Sequence, residues 1–135
     1  MKRRIALFMC IALAAFAPGC GESGKTSLKS GIYTLQDVPR DVPGDFTITI
    51  YDDGTFQCYE TPISSYIGMG HYSIEEDVVT LKEDMGGCTG DINYYKILDD
   101  KLSFIHDNSA NYHFVPLEDG ALFEWTSDIP STEER

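Results

Sequence analysis

FTITIYDDGTFQCYETPISSYIGMGHYSIE, residues Phe46 to Glu75, reads as three antiparallel strands with their turns spelled out between them. Phe46, Ile48 and Ile50 alternate with Thr47, Thr49 and Tyr51, giving one apolar and one polar face, the period-two pattern of a half-buried strand. Asp52, Asp53 and Gly54 then turn the chain. Glycine takes the left-handed conformation that closes such a hairpin loop without a Cβ clash, and the aspartates bond nearby backbone amides. Phe56 and Cys58 resume the inward face on the return strand. Pro62 breaks that strand, Ile63 to Tyr66 forms a loop rich in hydroxyls, and a further strand covers about Ile67 to Glu75 with Tyr72 and Ile74 inward. Gly68 and Gly70 mark a place where the backbone bends or is approached closely.

The same alternation continues on both sides. Gly31 to Gln36 is a first strand, left through the Pro-broken loop Asp37 to Gly44. After Glu76 and Asp77 come Val78 to Lys82, the Gly-rich loop Glu83 to Asp91, and the strand Ile92 to Leu98. Asp99 to Lys101 turns into Leu102 to Ile105, a polar segment spans His106 to His113, and Ala121 to Trp125 is the last strand. Short strands at regular spacing, with no helical periodicity, define an all-β meander. Such a sheet must bury one face and hide its edges, which predicts a small up-and-down antiparallel barrel of about eight strands, lipocalin-like in plan. A two-sheet β-sandwich is the competing form; pairing of Gly31–Gln36 with Ala121–Trp125 distinguishes the two.

The first residues carry an address. Lys2, Arg3 and Arg4 precede the apolar run Ile5 to Ala17, too short to span a bilayer comfortably and shaped as an export signal. The run ends at Ala17, Pro18, Gly19 and Cys20, a junction that resembles the lipobox of bacterial lipoproteins. That resemblance implies cleavage after residue 19, acylation of Cys20, and an extracytoplasmic protein held on the cell membrane by its lipid. The expected organisation is a signal peptide over 1–19, a flexible linker over 20–29, a barrel domain over 30–126 and a polar acidic tail over 127–135. Gly19 to Thr26, GCGESGKT, also satisfies the phosphate-loop pattern. A phosphate loop needs a strand before it and a helix after it; here a leader precedes and a strand pattern follows, so the match is assigned to the cleavage site and linker.

Removal of residues 1–19 takes three of the ten basic residues and none of the 22 acidic ones, leaving 116 residues at a net charge of −15. That charge disfavours nucleic acid and anionic lipid as partners. Of the four cysteines, Cys10 leaves with the signal and Cys20 takes lipid, so Cys58 and Cys88 remain in a compartment where disulfides persist. Either they bridge, or Cys58 fills the inward face of its strand as a separate thiol; the bridge is the preferred reading.

YDDGTF at Tyr51–Phe56, SSYIGMGHYSIE at Ser64–Glu75 and DGALFE at Asp119–Glu124 resemble a small extracytoplasmic domain found in bacterial lipoproteins and appended to BlaR-like membrane metallopeptidases. The likeness covers most of Gly31 to Trp125 and implies an accessory or sensing module. It supplies no ligand.

Signs of catalysis are sparse. None of His71, His106 or His113 begins an H-E-x-x-H, no G-x-S-x-G elbow occurs, and no serine stands three residues before a lysine. His106, Asp107 and His113 are the best-spaced metal candidates, yet loop histidines in so acidic a chain are ordinarily solvated, so neither metal nor cofactor is expected. A binding role asks less. Ser64, Ser65 and Tyr66 with Asp107, Asn108 and Ser109 would form a polar rim at an open barrel mouth. Tyr59, Tyr72, Tyr94, Tyr95 and Trp125 would line or plug the interior. The leading expectation is a non-enzymatic, lipid-anchored binding or sensory module for a small ligand. The second is a structural or protein-interaction module of the envelope with a filled barrel, and a metal-dependent enzyme is third.

Overall fold

Alternate residues of each strand turn inward, and the chain closes on itself to bury them. The computed structural model describes residues 27–85 and 90–131. In it β1 (Gly31–Leu35), β2 (Thr47–Ile50), β3 (Thr55–Tyr59), β4 (Gly68–Glu75), β5 (Val78–Met85), β6 (Ile92–Leu98), β7 (Lys101–Ile105) and β8 (Leu122–Ser127) pair in sequence order around a closed antiparallel barrel. The first strand meets the last, with Tyr33 opposite Trp125, Thr34 opposite Glu124 and Leu35 opposite Phe123. That pairing excludes the sandwich.

The turn after β2 is built as its residues dictate. Gly54 has φ +87°, Tyr51 N donates to Thr55 O at 3.0 Å, and Asp53 Oδ1 accepts Thr55 N at 3.0 Å. Three elements differ from the sequence reading. β5 extends through Glu83 to Met85, because Glu83 keeps the inward register of Val79 and Leu81 and finds a partner there. β8 runs to Ser127, which pairs with Ile32. On β4, Tyr72 only half buries and Ile74 is 38% exposed, since β4 runs on beyond His71, the last of its residues paired with β3.

An eight-stranded barrel is just wide enough for side chains to fill it. Tyr33, Ile48, Ile50, Phe56, Leu81, Tyr95, Leu102, Phe104 and Phe123 are buried there, joined by Phe46 from just ahead of β2 and by Tyr112, Val115 and Leu117 from the loop before β8. Phe46 meets Tyr112 and Phe123 edge-on, with ring centroids 4.8 and 5.1 Å apart, and Tyr95 meets Phe123 at 5.7 Å. Each such contact adds about 0.5–1.5 kcal/mol to the burial itself. Of the aromatic residues expected to line or plug the interior, Tyr95 alone is fully buried; Tyr59, Tyr72, Tyr94 and Trp125 are half-buried.

Chain direction alternates from strand to strand, so the connections sort onto two poles. The short turns over 51–54, 76–77 and 99–100 lie at one pole together with the start of β1 and the end of β8. The long connections over 36–46, 60–67 and 106–121 lie at the other, with the end of β5 and the start of β6. The stretch before β1, expected as free linker through Lys29, rests on the barrel at the turn pole. Leu28 packs against the core, Tyr33 donates to Lys29 O at 2.7 Å, and the Lys29 ammonium sits 3.3 Å from the centre of the Trp125 ring. The signal peptide, Cys10, Cys20, the GCGESGKT stretch and Cys88 lie outside the described residues, as do the last four residues of the expected tail.

Candidate functional site

The loop pole is closed from within by residues 111–117. Asn111, at φ +66°, accepts Tyr112 N at 2.8 Å and Leu117 N at 2.9 Å through Oδ1, and its Nδ2 donates to Leu117 O at 2.9 Å. Its own amide reaches Asn93 Oδ1 of β6 at 2.8 Å. The segment is thereby cinched into a clasp whose apolar side chains, Tyr112, Val115 and Leu117, point into the barrel. Glu60, only 2% exposed, holds the clasp from the opposite side, with Oε2 accepting Phe114 N at 2.8 Å and Val115 N at 3.0 Å. A buried carboxylate is tolerable where such donors satisfy it.

Under the clasp lies a short polar chain. Tyr112 and Tyr95 share a hydrogen bond at 2.6 Å between their hydroxyls, and the Cys58 thiol bonds to Tyr112. Burial pushes the Cys58 thiol and both phenols well above their ordinary ranges, with Glu60 adding to the rise at Cys58 and Tyr95. A thiol so placed is a weak nucleophile. Cys58 forms no disulfide among the described residues, and the partner expected for it, Cys88, is not one of them. Glu83 accepts a hydrogen bond from Tyr66 OH, and its carboxyl is raised above its usual range by burial, the Tyr66 bond opposing. Gly68 makes room for it, since a Cβ there would stand 2.3 Å from Glu83 Oε1.

The six residues expected as a polar rim do lie at this pole, on two separate loops. Several of their polar groups are spent on the loops themselves. Ser64 is buried and accepts Tyr66 N at 3.1 Å; Ser109 Oγ donates to Ile105 O and accepts Tyr94 N at 3.0 Å. Asn108, at φ +64°, belongs to the turn in which Ser109 N reaches His106 O. Ser65 and Asp107 are exposed, and none of the six lines either cleft described below. The trio His106, Asp107 and His113 is not gathered: His106 N donates to Asp119 Oδ1, and His113 stands 3.8 Å from Asp91. Among the described residues no group of three or more His, Cys, Asp or Glu is placed to hold a metal ion.

Among the described residues, open clefts mark both poles. One, of about 450 Å³ at the loop pole, runs between the β1–β2 loop and the clasp, with Leu35, Val115 and Leu117 as its floor and Asp37, Glu118 and Asp119 on its rim. The other, of about 560 Å³ at the turn pole, is lined by Ser27, Lys29, Ile97, Asp99 and Asp100. Neither was legible in the sequence, where Asp37, Glu118 and Asp119 look like turn residues. The buried Glu83 and Asn93 did leave a signal: each stands in an inward register beside Val79 and Leu81 or Tyr95 and Ile97.

No family model matches this chain, and searches of curated proteins and of solved structures found no match.

Proposed function

We propose that the protein is a non-catalytic protein-interaction module of the cell envelope, lipid-anchored at Cys20 and presenting its loop pole to a partner. The single observation that carries this reading is the filled interior. Tyr112, Phe46, Phe104 and Phe123 occupy the volume a small ligand would need, so the second sequence expectation is favoured over the first. Specificity then resides on the outside. The start of the described chain lies at the turn pole, so an anchor upstream of it leaves the loop pole facing away from the membrane. Ile63 at 77% and Phe114 at 52% exposure both stand on long loops of that outward pole, the kind of apolar side chain a protein interface covers.

Two measurements test the reading. Cys20→Ser should release the protein from the membrane fraction into the extracytoplasmic soluble fraction; continued membrane association counts against the lipid anchor. An apolar fluorophore added to the folded protein should show no saturable binding, whereas one-to-one uptake that shifts the resonances of Tyr95 and Phe123 returns the choice to a ligand carrier.

A further inference from the structure

We propose that the cleft at the loop pole is a docking groove for a positively charged segment of a partner protein that inserts an apolar side chain. The inference rests on the protein-interaction reading above and names the chemistry of the partner.

The groove has an apolar lining: Leu122, 37% exposed, and half-buried Ala121 offer contact above a floor of buried Leu35, Val115 and Leu117. Its rim carries Asp37, Glu118 and Asp119, all exposed, and no basic residue lines it. None of the three is ion-paired with a Lys, Arg or His among the described residues. The Asp119 carboxylate is already fixed in direction by the amide of His106, at 3.0 Å. Pro39 and Pro116 stand in the walls, and neither has an N–H to offer. A surface of that kind is complementary to lysine or arginine beside a buried aliphatic or aromatic anchor.

The turn-pole cleft is the internal control. It also has two aspartates, Asp99 and Asp100, but Lys29 of the same chain lies in its lining. It therefore carries its own cation, where the loop-pole groove has none. The groove is open along the surface and not a closed chamber, which suits a length of polypeptide better than a small molecule buried on most sides.

The test uses the full mature chain in detergent and three synthetic decapeptides: alternating Lys and Leu, alternating Lys and Ser, and alternating Glu and Leu. The Lys/Leu peptide should bind and move the amide resonances of Leu35, Asp37 and Leu117 to Leu122, with the other two at least about tenfold weaker. Asp37→Asn with Glu118→Gln should weaken it about tenfold and flatten the salt dependence, while Asp99→Asn with Asp100→Asn leaves it unchanged. Asp37→Lys with Glu118→Lys should reverse the preference to the Glu/Leu peptide, a gain that misfolding cannot mimic. Equal binding of Lys/Leu and Lys/Ser, no binding of any peptide, an equal loss from the Asp99 and Asp100 changes, or shifts confined elsewhere would overturn the groove. Those results leave the filled interior untouched, so failure of the groove and failure of the interaction reading are separable.

Discussion

The two poles of this barrel are built by different physics. At the turn pole the β2–β3 connection is closed by side chains adjacent in sequence, where Asp53 caps Thr55 and Gly54 supplies the positive φ. Bonds that reach the turns from other strands, such as Ile97 N to Asp77 O and Trp125 N to Asp100 O, join backbone to backbone. At the loop pole the structure hangs on bonds between distant positions, such as Glu60 to the amides of Phe114 and Val115, 54 and 55 residues away, and Asn93 to Asn111, 18 residues away. The turn side chains tolerate change because the bonds that reach these turns from other strands end on backbone carbonyls. The clasp does not, because its side chains are part of the core. The pole that is costliest to alter is thus also the one assigned the partner.

That contrast can be broken or sharpened by substitution. The largest effect is expected from Tyr112→Ala, which removes a ring packed on Phe46 and Phe104 and opens the barrel; urea denaturation should register a loss of about 3–5 kcal/mol. Glu60→Ala comes next. It leaves the buried amide of Val115 and its neighbour Phe114 without their acceptor, a cost of about 1–3 kcal/mol by the same measurement, and Glu60→Gln should recover part of it. A destabilisation by Glu60→Ala no larger than that of a surface substitution would mean the clasp is not held from this side.

Glu83 gives a third effect, whose sign depends on pH. Its folded-state pKa lies above the ordinary 4.5, chiefly through burial. Across the interval from the unfolded value up to the folded one the native protein retains a proton that the unfolded chain has released, so stability declines as pH rises through it. Glu83→Gln, which can still accept from Tyr66, removes that decline. Its melting temperature relative to the parent should climb as pH rises above the ordinary 4.5, and a flat or falling difference would contradict the burial argument. The smallest effect belongs to the turn pole: Glu76→Gly, at φ +56°, should change stability by no more than about 1 kcal/mol, toward greater stability.

The same division explains what could be read from the chain. The strands around Asp52–Gly54 were legible because period-two alternation and turn chemistry are local, and closure followed from the need to bury edges. The run of β4 past the start of β3 was not, since Tyr72 and Ile74 keep the inward parity where β3 no longer flanks them. In the sequence Tyr112 falls inside the polar segment His106 to His113, and Val115 and Leu117 fall in no strand, because polar neighbours outweigh the three in a local window. Only the distant Glu60 and Asn93 make those residues core. For the same reason the expected rim of Ser64 to Tyr66 and Asp107 to Ser109 lies at the loop pole without lining the groove, whose residues look like turn residues in the sequence.

The central claim is that the loop pole seals the barrel with Tyr112. Nuclear Overhauser contacts from the Tyr112 ring test it most directly. With ring centroids 4.8 Å from Phe46 and 6.3 Å from Phe104, strong contacts to Phe46 and weaker ones to Phe104 are predicted. A Tyr112 ring that shows neither, and whose resonances respond instead to a soluble paramagnetic agent, would mean that the barrel stands open and that its interior, not its rim, is the place to look for a ligand.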